Sequence, residues 1–477
     1  MEAEIVQSGA RKRKCALAFC ARKVGSFESF LAALAVLLRS PAMLHAVILA
    51  ALVHVSQEPV APTPAPAWTQ TELERVALEI QADIEGLRGQ KFTAPVKVKL
   101  ASKADLRKYV EERTLKTETP EKLAADELVG KLLGVIPPEL DLMKETLRLL
   151  DSQVVGFYDP DSDSFSLMDG CPMGMARMTM AHELGHALDD QLYGIDQRLA
   201  TLPKDTDAQL AYWCVVEGSA TLVGNRWQMA NAKSLDAESL AAASEMMKGS
   251  FDTAPQWLWK PMIGSYLVGA GFLARSENWM SAQMAKAATD DVTRAFSAPP
   301  VTTEMALHPA KYWEDATRDV PQRFSVEPAS LPAGWSVLRE DTLGELACGI
   351  VALPPKRRGG VDMSNPMALM GISFSNKESK GWDGDRLALC AKGEARVLRW
   401  RSVWDSEQDA AEFRRALESQ LEHQRACAAK LRAKGVSGAE LSTGLSANEV
   451  ELVVWAGIEA VEELASLRAA GLFALVP

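Results

Sequence analysis

Two histidines four residues apart, His182 and His186, enclose Glu183 in the run Ala181-His182-Glu183-Leu184-Gly185-His186-Ala187-Leu188. Positions four apart share one face of a helix, so both imidazoles can reach a single tetrahedral metal ion. Glu183, next to the first histidine, falls on the side where a metal-bound water would lie and suits a proton-accepting role. Such a site needs a third protein ligand. Glu217, 31 residues beyond His186, stands mid-helix in Glu217-Gly218-Ser219-Ala220, on a stretch whose Trp213, Val216, Ala220 and Val223 form an apolar face. A carboxylate buried there without a partner would be costly, whereas bound to zinc it is neutralised. The expectation is one Zn2+ ion on His182, His186 and Glu217.

These side chains need rigid supports. Pro172 is placed to open a helix that runs to about Tyr193, with Gly194 as its stop. A second helix is expected over Ala208 to Ala230. Before them, Val154 to Tyr158 and Ser164 to Met168 flank Asp159-Pro160-Asp161-Ser162-Asp163 and read as a hairpin with an edge that could meet an extended peptide. The three aspartates imitate the opening of a calcium loop, but that loop needs a glycine at its sixth position and a glutamate at its twelfth. Ser164 and Gly170 stand there, so a plain turn is expected. Apolar spacing further predicts helices over Thr71 to Leu87, Glu121 to Leu133, Leu140 to Leu150, Ala237 to Met247, Pro261 to Leu273 and Trp279 to Ala288, and a strand at Val96 to Leu100.

Beyond about residue 330 the pattern changes to short strands, expected at Leu343 to Leu353, Met367 to Phe374, Arg386 to Cys390 and Ala395 to Trp400. A long polar helix, capped by Asp405 or Ser406, runs to about Ala433; a strand at Val450 to Trp455 and a helix from Ile458 to about Ala470 close the chain. The first 55 residues carry the basic cluster Arg11 to Lys14 and two apolar runs, Phe30 to Leu38 and Ala42 to Val55, each shorter than a spanning helix needs. Their pattern suits a signal peptide or an N-terminal membrane anchor, and hence export. Residues 56–68 alternate proline with small residues as a stiff linker. The expected organisation is therefore a leader (1–55), a linker (56–68), a mostly helical catalytic domain with a small sheet (69–330) and a smaller α+β accessory module (331–477). The overall class is α+β.

A hydrophobic share of 47% and a charged share of 24% are ordinary globular values. The net charge of -11 supplies no basic stripe, which argues against nucleic-acid binding. None of the seven cysteines forms a close pair, so a cysteine-built zinc site is not expected. Cys171 or Cys214 as an extra ligand, in the manner of a deformylase, is the alternative; buried inert thiols are the commoner outcome.

With HELGH, the later EGSA segment and the order of strand, hairpin and helix, the region from Ala94 to Trp313 resembles the gluzincin metallopeptidases, the thermolysin-like group. The resemblance implies a zincin-like fold, His182, His186 and Glu217 as ligands, and Glu183 as the base that activates the zinc-bound water to hydrolyse a peptide bond. Asp190, four residues after His186, matches an acidic position that supports the ligands from behind in some of these enzymes. At Thr221 the chain departs from thermolysin, which has an aspartate there, so the surrounding support must differ. A tetrahedral oxyanion needs a second donor besides the metal. His308 is the first candidate, with Tyr312 and Tyr266 as alternatives; the plainer role for His308 is to cap a turn before Pro309. Expected partners are a peptide or protein substrate, and a membrane only through an uncleaved N-terminal segment. Two other functions compete: a catalytically silent exported zinc scaffold, and a zinc hydrolase of a non-peptide amide.

Overall fold

The computed structural model of the chain describes residues 68–115, 119–232, 241, 251–432, 434–444 and 446–476. The expected leader, nearly all of the expected linker and all but one residue of the helix expected at 237–247 lie outside the described residues. Among the described residues no helix is long and apolar enough to cross a membrane. Trp68, the first described residue, is buried and its indole N–H donates to the Cys171 carbonyl at 2.9 Å.

The N-terminal half opens with α1 (Gln70–Arg88), β1 (Lys97–Ala101), α2 (Lys103–Leu115), α3 (Pro120–Leu132) and α4 (Leu142–Gln153). Thr69 caps α1 by accepting from the Glu72 amide. The hairpin β2 (Gly156–Asp159) and β3 (Ser164–Met168) follows, with β1 parallel to β3 and β2 left at the sheet edge. Its turn is the plain one: Asp159 accepts from the Asp161 amide and the Ser162 hydroxyl, while Asp163 turns away to Gln191 and Tyr158. Next come α5 (Met173–Tyr193), α6 (Ile195–Thr201), α7 (Thr206–Ala230) and α8 (Gln256–Leu273). Short pieces α9 (Trp279–Ala282), α10 (Thr289–Ser297), α11 (Thr303–Leu307) and α12 (Ala310–Trp313) finish this half.

The C-terminal module contains β4 (Phe324–Val326), β5 (Ser336–Asp341), α13 (Gly344–Ala352), α14 (Pro366–Met370), β6 (Trp382–Lys392) and β7 (Ala395–Trp404). It continues with α15 (Glu407–Glu418), α16 (Leu421–Leu431), β8 (Val436–Thr443), β9 (Glu449–Ile458), α17 (Val461–Ala469) and β10 (Phe473–Leu475). Its antiparallel sheet runs β5-β6-β7-β9-β8, and β4 pairs separately with β10.

Several expectations for this half fail. The apolar run at Leu343 to Leu353 is a helix, α13, whose nine residues are all buried; a segment covered on every side has no polar face to reveal its period. The strand expected at Met367 to Phe374 is instead the short α14, started by the Asn365 side chain and Pro366. The long polar helix divides at Ser419 and Gln420 into α15 and α16, where the Gln420 side chain donates to the Ala352 carbonyl. Ser406 does cap α15, accepting from the Asp409 amide. The helix expected over Trp279 to Ala288 stops at Ala282, and the edge strands β5 and β8 were not expected.

One hydrophobic core passes through both halves, including Leu73, Leu184 and Trp227 on one side and Leu346, Trp400 and Val454 on the other. A polar clamp adds to it at the start of α7. Asp341 receives the Thr206 amide (2.8 Å) and hydroxyl (2.6 Å), and the Thr342 carbonyl receives the Asp207 amide at 3.1 Å. Asp207 in turn accepts from the Thr303 amide and hydroxyl at 2.8 and 2.6 Å. Asp385 holds the other side of the same loop, accepting the Leu343 and Gly344 amides (each 2.9 Å) and the indoles of Trp382 and Trp400. Gly344 adopts φ +80 against Asp207, where a Cβ would lie 1.7 Å from Oδ1. The variant Gly344→Ala is therefore expected to lose about 3 kcal/mol or more, from backbone strain and a displaced buried carboxylate. Urea unfolding measures it, and an unchanged midpoint would contradict the clamp.

Candidate metal centre

Helices α5 and α7 carry the expected ligands and bury most of their lengths. The glycine of each motif removes a side chain from a close helix contact, Gly185 where α5 meets α7 and Gly218 where α7 meets α8. At Gly185 a Cβ would come within 3.2 Å of the Ala220 Cα, and at Gly218 within 2.2 Å of the Gly269 carbonyl carbon on α8. The crossing brings the ligand atoms together. His182 Nε2 lies 3.0 Å from His186 Nε2, and Glu217 Oε2 lies 3.4 Å from each. One ligand atom from each of the three residues falls within 4.8 Å of the others.

Charge and burial fit a cation at this point. Glu217 is fully buried, and neither of its oxygens completes a hydrogen bond within the protein. Burial would raise its carboxyl, yet the neighbouring histidines, His186 foremost, hold it down to about 2. Burial and His186 press His182 down to about 4. Burial also opposes charge on His186, but the Glu217 carboxylate outweighs it and leaves that ring near 9. Besides the Tyr266 phenol, which also faces it, the carboxylate is compensated by a proton on the histidine pair, a role that a divalent ion fills more fully.

Glu183 is buried beside the ligands, and burial pushes its carboxyl up to about 8. Its Oε2 accepts the main-chain N–H of Tyr158, in edge strand β2, at 2.8 Å, while Oε1 has no hydrogen-bond partner. The Tyr266 ring, on α8, stacks on His182 with centroids 5.6 Å apart. Burial, then the charges of Glu217 and Glu183, keep its phenol well above its usual pKa, so Tyr266 remains a proton donor.

Of the donor candidates, only Tyr266 joins the ligands. Both ring nitrogens of His308 are engaged elsewhere, Nδ1 with Glu277 (2.8 Å) and Nε2 with Glu345 (3.0 Å). The Tyr312 hydroxyl donates to the Ala298 carbonyl at 2.6 Å. Asp190 does not reach the imidazoles: it accepts the Ile195 amide and the Tyr158 hydroxyl. Thr221 is buried with its hydroxyl unbonded. Cys171 and Cys214 are buried thiols outside the ligand group; burial raises both, Cys171 to about 12. A second cluster, Glu304, Asp319 and Asp405, already holds a cation, the Lys311 ammonium, at 2.6, 2.6 and 3.4 Å.

Sequence reasoning missed two supports. The first is the Tyr158 amide. The second is a buried network in which Asp189 accepts Arg88 at 2.5 Å and Ser219 at 2.6 Å, tying α1, α5 and α7 together beside His186 and Glu217. The serine of EGSA and two successive aspartates inside an otherwise apolar helix were its visible signals.

Residues 335–465 match a family model described as a domain of unknown function (DUF8575), which covers most of the C-terminal module and none of His182, His186 and Glu217. No curated protein and no solved structure matches the chain.

Removing the arginine alone would leave Asp189 buried and unpaired, so Arg88→Ala is expected to cost about 3 to 5 kcal/mol in unfolding free energy. A cost below about 1 kcal/mol would show the network to be dispensable. His308 gives a pH signature. Burial opposes its charge, but Glu345 and then Glu277 raise it from 6.5 to about 9. The folded chain therefore holds this proton more tightly than the unfolded chain. The resulting stability, about 3 kcal/mol, is complete below pH 6.5 and lost as pH rises through about 9. Stability profiles of wild type and His308→Asn should converge over that window; parallel profiles would refute the assignment.

Proposed function

We propose that this chain is a zinc-dependent peptidase of the gluzincin type, with a zincin-like catalytic half. The observation that carries the proposal is the convergence of His182, His186 and Glu217 from two crossing helices, with Glu183 beside them. When bound by these three residues, zinc would act as a Lewis acid toward the scissile carbonyl and toward water.

The chain's own groups account for the remaining work. The Tyr158 amide fixes Glu183 Oε2 and leaves Oε1 as the atom that takes a proton and later returns it to the leaving amine. Tyr266 keeps its own proton and serves as the donor to the developing oxyanion, replacing His308 in that role. Strand β2, at the sheet edge next to Glu183, offers main-chain groups to an extended peptide. Export through the N-terminal leader, with the apolar run Ala42 to Val55 as signal peptide or membrane anchor, completes the proposal.

One observation favours the silent zinc scaffold as a second reading. His182 and Glu217 are wholly buried, and His186 is only 7% exposed, so substrate must displace part of the surface to reach the site. Cleavage of casein and of a mixed peptide library decides between them. The zinc-loaded wild type is expected to cleave peptide bonds, Glu183→Gln to lose at least about 100-fold while keeping its zinc, and Glu217→Ala to lose the metal. Tight zinc binding without Glu183-dependent cleavage would leave the scaffold, and products other than peptides would point to another amide.

A further inference from the structure

Tyr158 is bound at both ends. Its main-chain N–H, on the outer side of edge strand β2, donates to Glu183 Oε2 at 2.8 Å. Its side-chain hydroxyl lies 2.9 Å from Asp163 Oδ1 and 3.2 Å from Asp190 Oδ2. One hydroxyl proton serves two acidic side chains. Burial pushes Asp190 up to about 6, so its carboxyl takes up a proton more readily than a free carboxylate.

The two carboxylates come from different elements. Asp163 ends the turn between β2 and β3 and is held by Gln191 of α5, while Asp190 belongs to α5 itself and also accepts the Ile195 amide at 2.9 Å. The phenol therefore joins the edge strand to the helix that carries His182, Glu183 and His186. Phe157, the preceding residue, stacks on Tyr109 of α2 with centroids 4.3 Å apart and fixes the strand from its other face. A β2 strand of four residues with one neighbouring strand has few bonds of its own to hold it in place.

We propose that Tyr158 is a positioning residue for the base: its hydroxyl, gripped by Asp163 and Asp190, holds its own main-chain amide on Glu183. The inference rests on the peptidase function assigned to the same site. It gives Asp190 a task different from supporting a ligand histidine, because the aspartate acts through the tyrosine on the carboxylate that moves the proton. A loosened amide would let Glu183 rotate among several orientations, and a base held in the wrong orientation lowers turnover without altering substrate or metal binding.

Tyr158→Phe removes one oxygen and keeps the ring. Asp190→Asn keeps one oxygen to accept the Ile195 amide and turns its NH2 to the phenol oxygen, whose own proton then goes to Asp163, whereas Asp190→Ala loses both contacts. In the zinc-loaded full chain, Tyr158→Phe and Asp190→Ala are expected to lower kcat about 10-fold with KM and zinc affinity unchanged, and Asp190→Asn to stay within about twofold of wild type. Hydrogen exchange of the segment 156–159, measured by mass spectrometry, is expected to quicken in the first two variants and not in the third. Unchanged kcat in Tyr158→Phe, or parallel losses of kcat and zinc affinity, would overturn the assignment. Should the wild type show no Glu183-dependent cleavage, the peptidase function falls, and the exchange of the Tyr158 amide alone decides whether the phenol holds it: unchanged exchange in Tyr158→Phe rejects the brace.

Discussion

A carboxylate without solvent, whose charge only neighbouring side chains offset, is the constraint around which the two crossing helices are arranged. Glu217 lies in the middle of a helix 25 residues long, at a depth where an isolated charge would be strongly disfavoured. Two imidazoles at 3.4 Å make the position tenable, and they reach it only because α5 and α7 touch backbone to backbone at Gly185 and Ala220. The glycine of EGSA does the same toward α8, which in turn brings Tyr266 over His182. Motif residues that look like spacers are thus steric requirements of the helix crossing.

That crossing needs an external frame. Arg88, Asp189 and Ser219 tie three helices on one side, a fully buried ion pair of the kind that contributes more to geometry than to net stability. At the far end of α7, the C-terminal module supplies Asp341 and Thr342 to the first turn of the helix. The matched region of unknown function therefore contains residues that anchor the ligand helix, although it holds no ligand itself. A shared core and a shared helix cap make the module part of the scaffold rather than an appendage on a flexible linker.

The convergence of the motif residues was more legible in the sequence than the architecture around it. His182, Glu183, His186 and Glu217 could be placed from spacing, since helical periodicity and ligand chemistry both restrict where such residues stand. Helices with a polar face, such as α1, were visible for the same reason, and the hairpin announced itself through its aspartate-rich turn. The run at Leu343 to Leu353 was not, because a helix buried on all sides shows the same letters as a buried strand. His308 misled for a different reason: a histidine outside the ligand pair satisfied a chemical need, but its two carboxylate partners, Glu277 and Glu345, lie 31 residues before it and 37 after it. Tyr266, although nearer to the motif in sequence, offered nothing local to rank it first.

The pair Asp189 and Asp190 shows how neighbouring residues come to serve opposite sides of one site. Successive residues on a helix point about 100° apart, and these two adjacent carboxylates meet different partners. Asp189, three residues past His186, turns inward to Arg88 and Ser219 and fixes the ligand helices relative to each other. Asp190, four residues past it, turns toward the sheet and meets the Tyr158 phenol, whose amide lies on Glu183. Ligands and base are rigidly related because both braces leave the same turn of α5. A tilt of that helix that strained one brace would strain the other, so His182, His186 and Glu183 are held at a fixed separation from both frames.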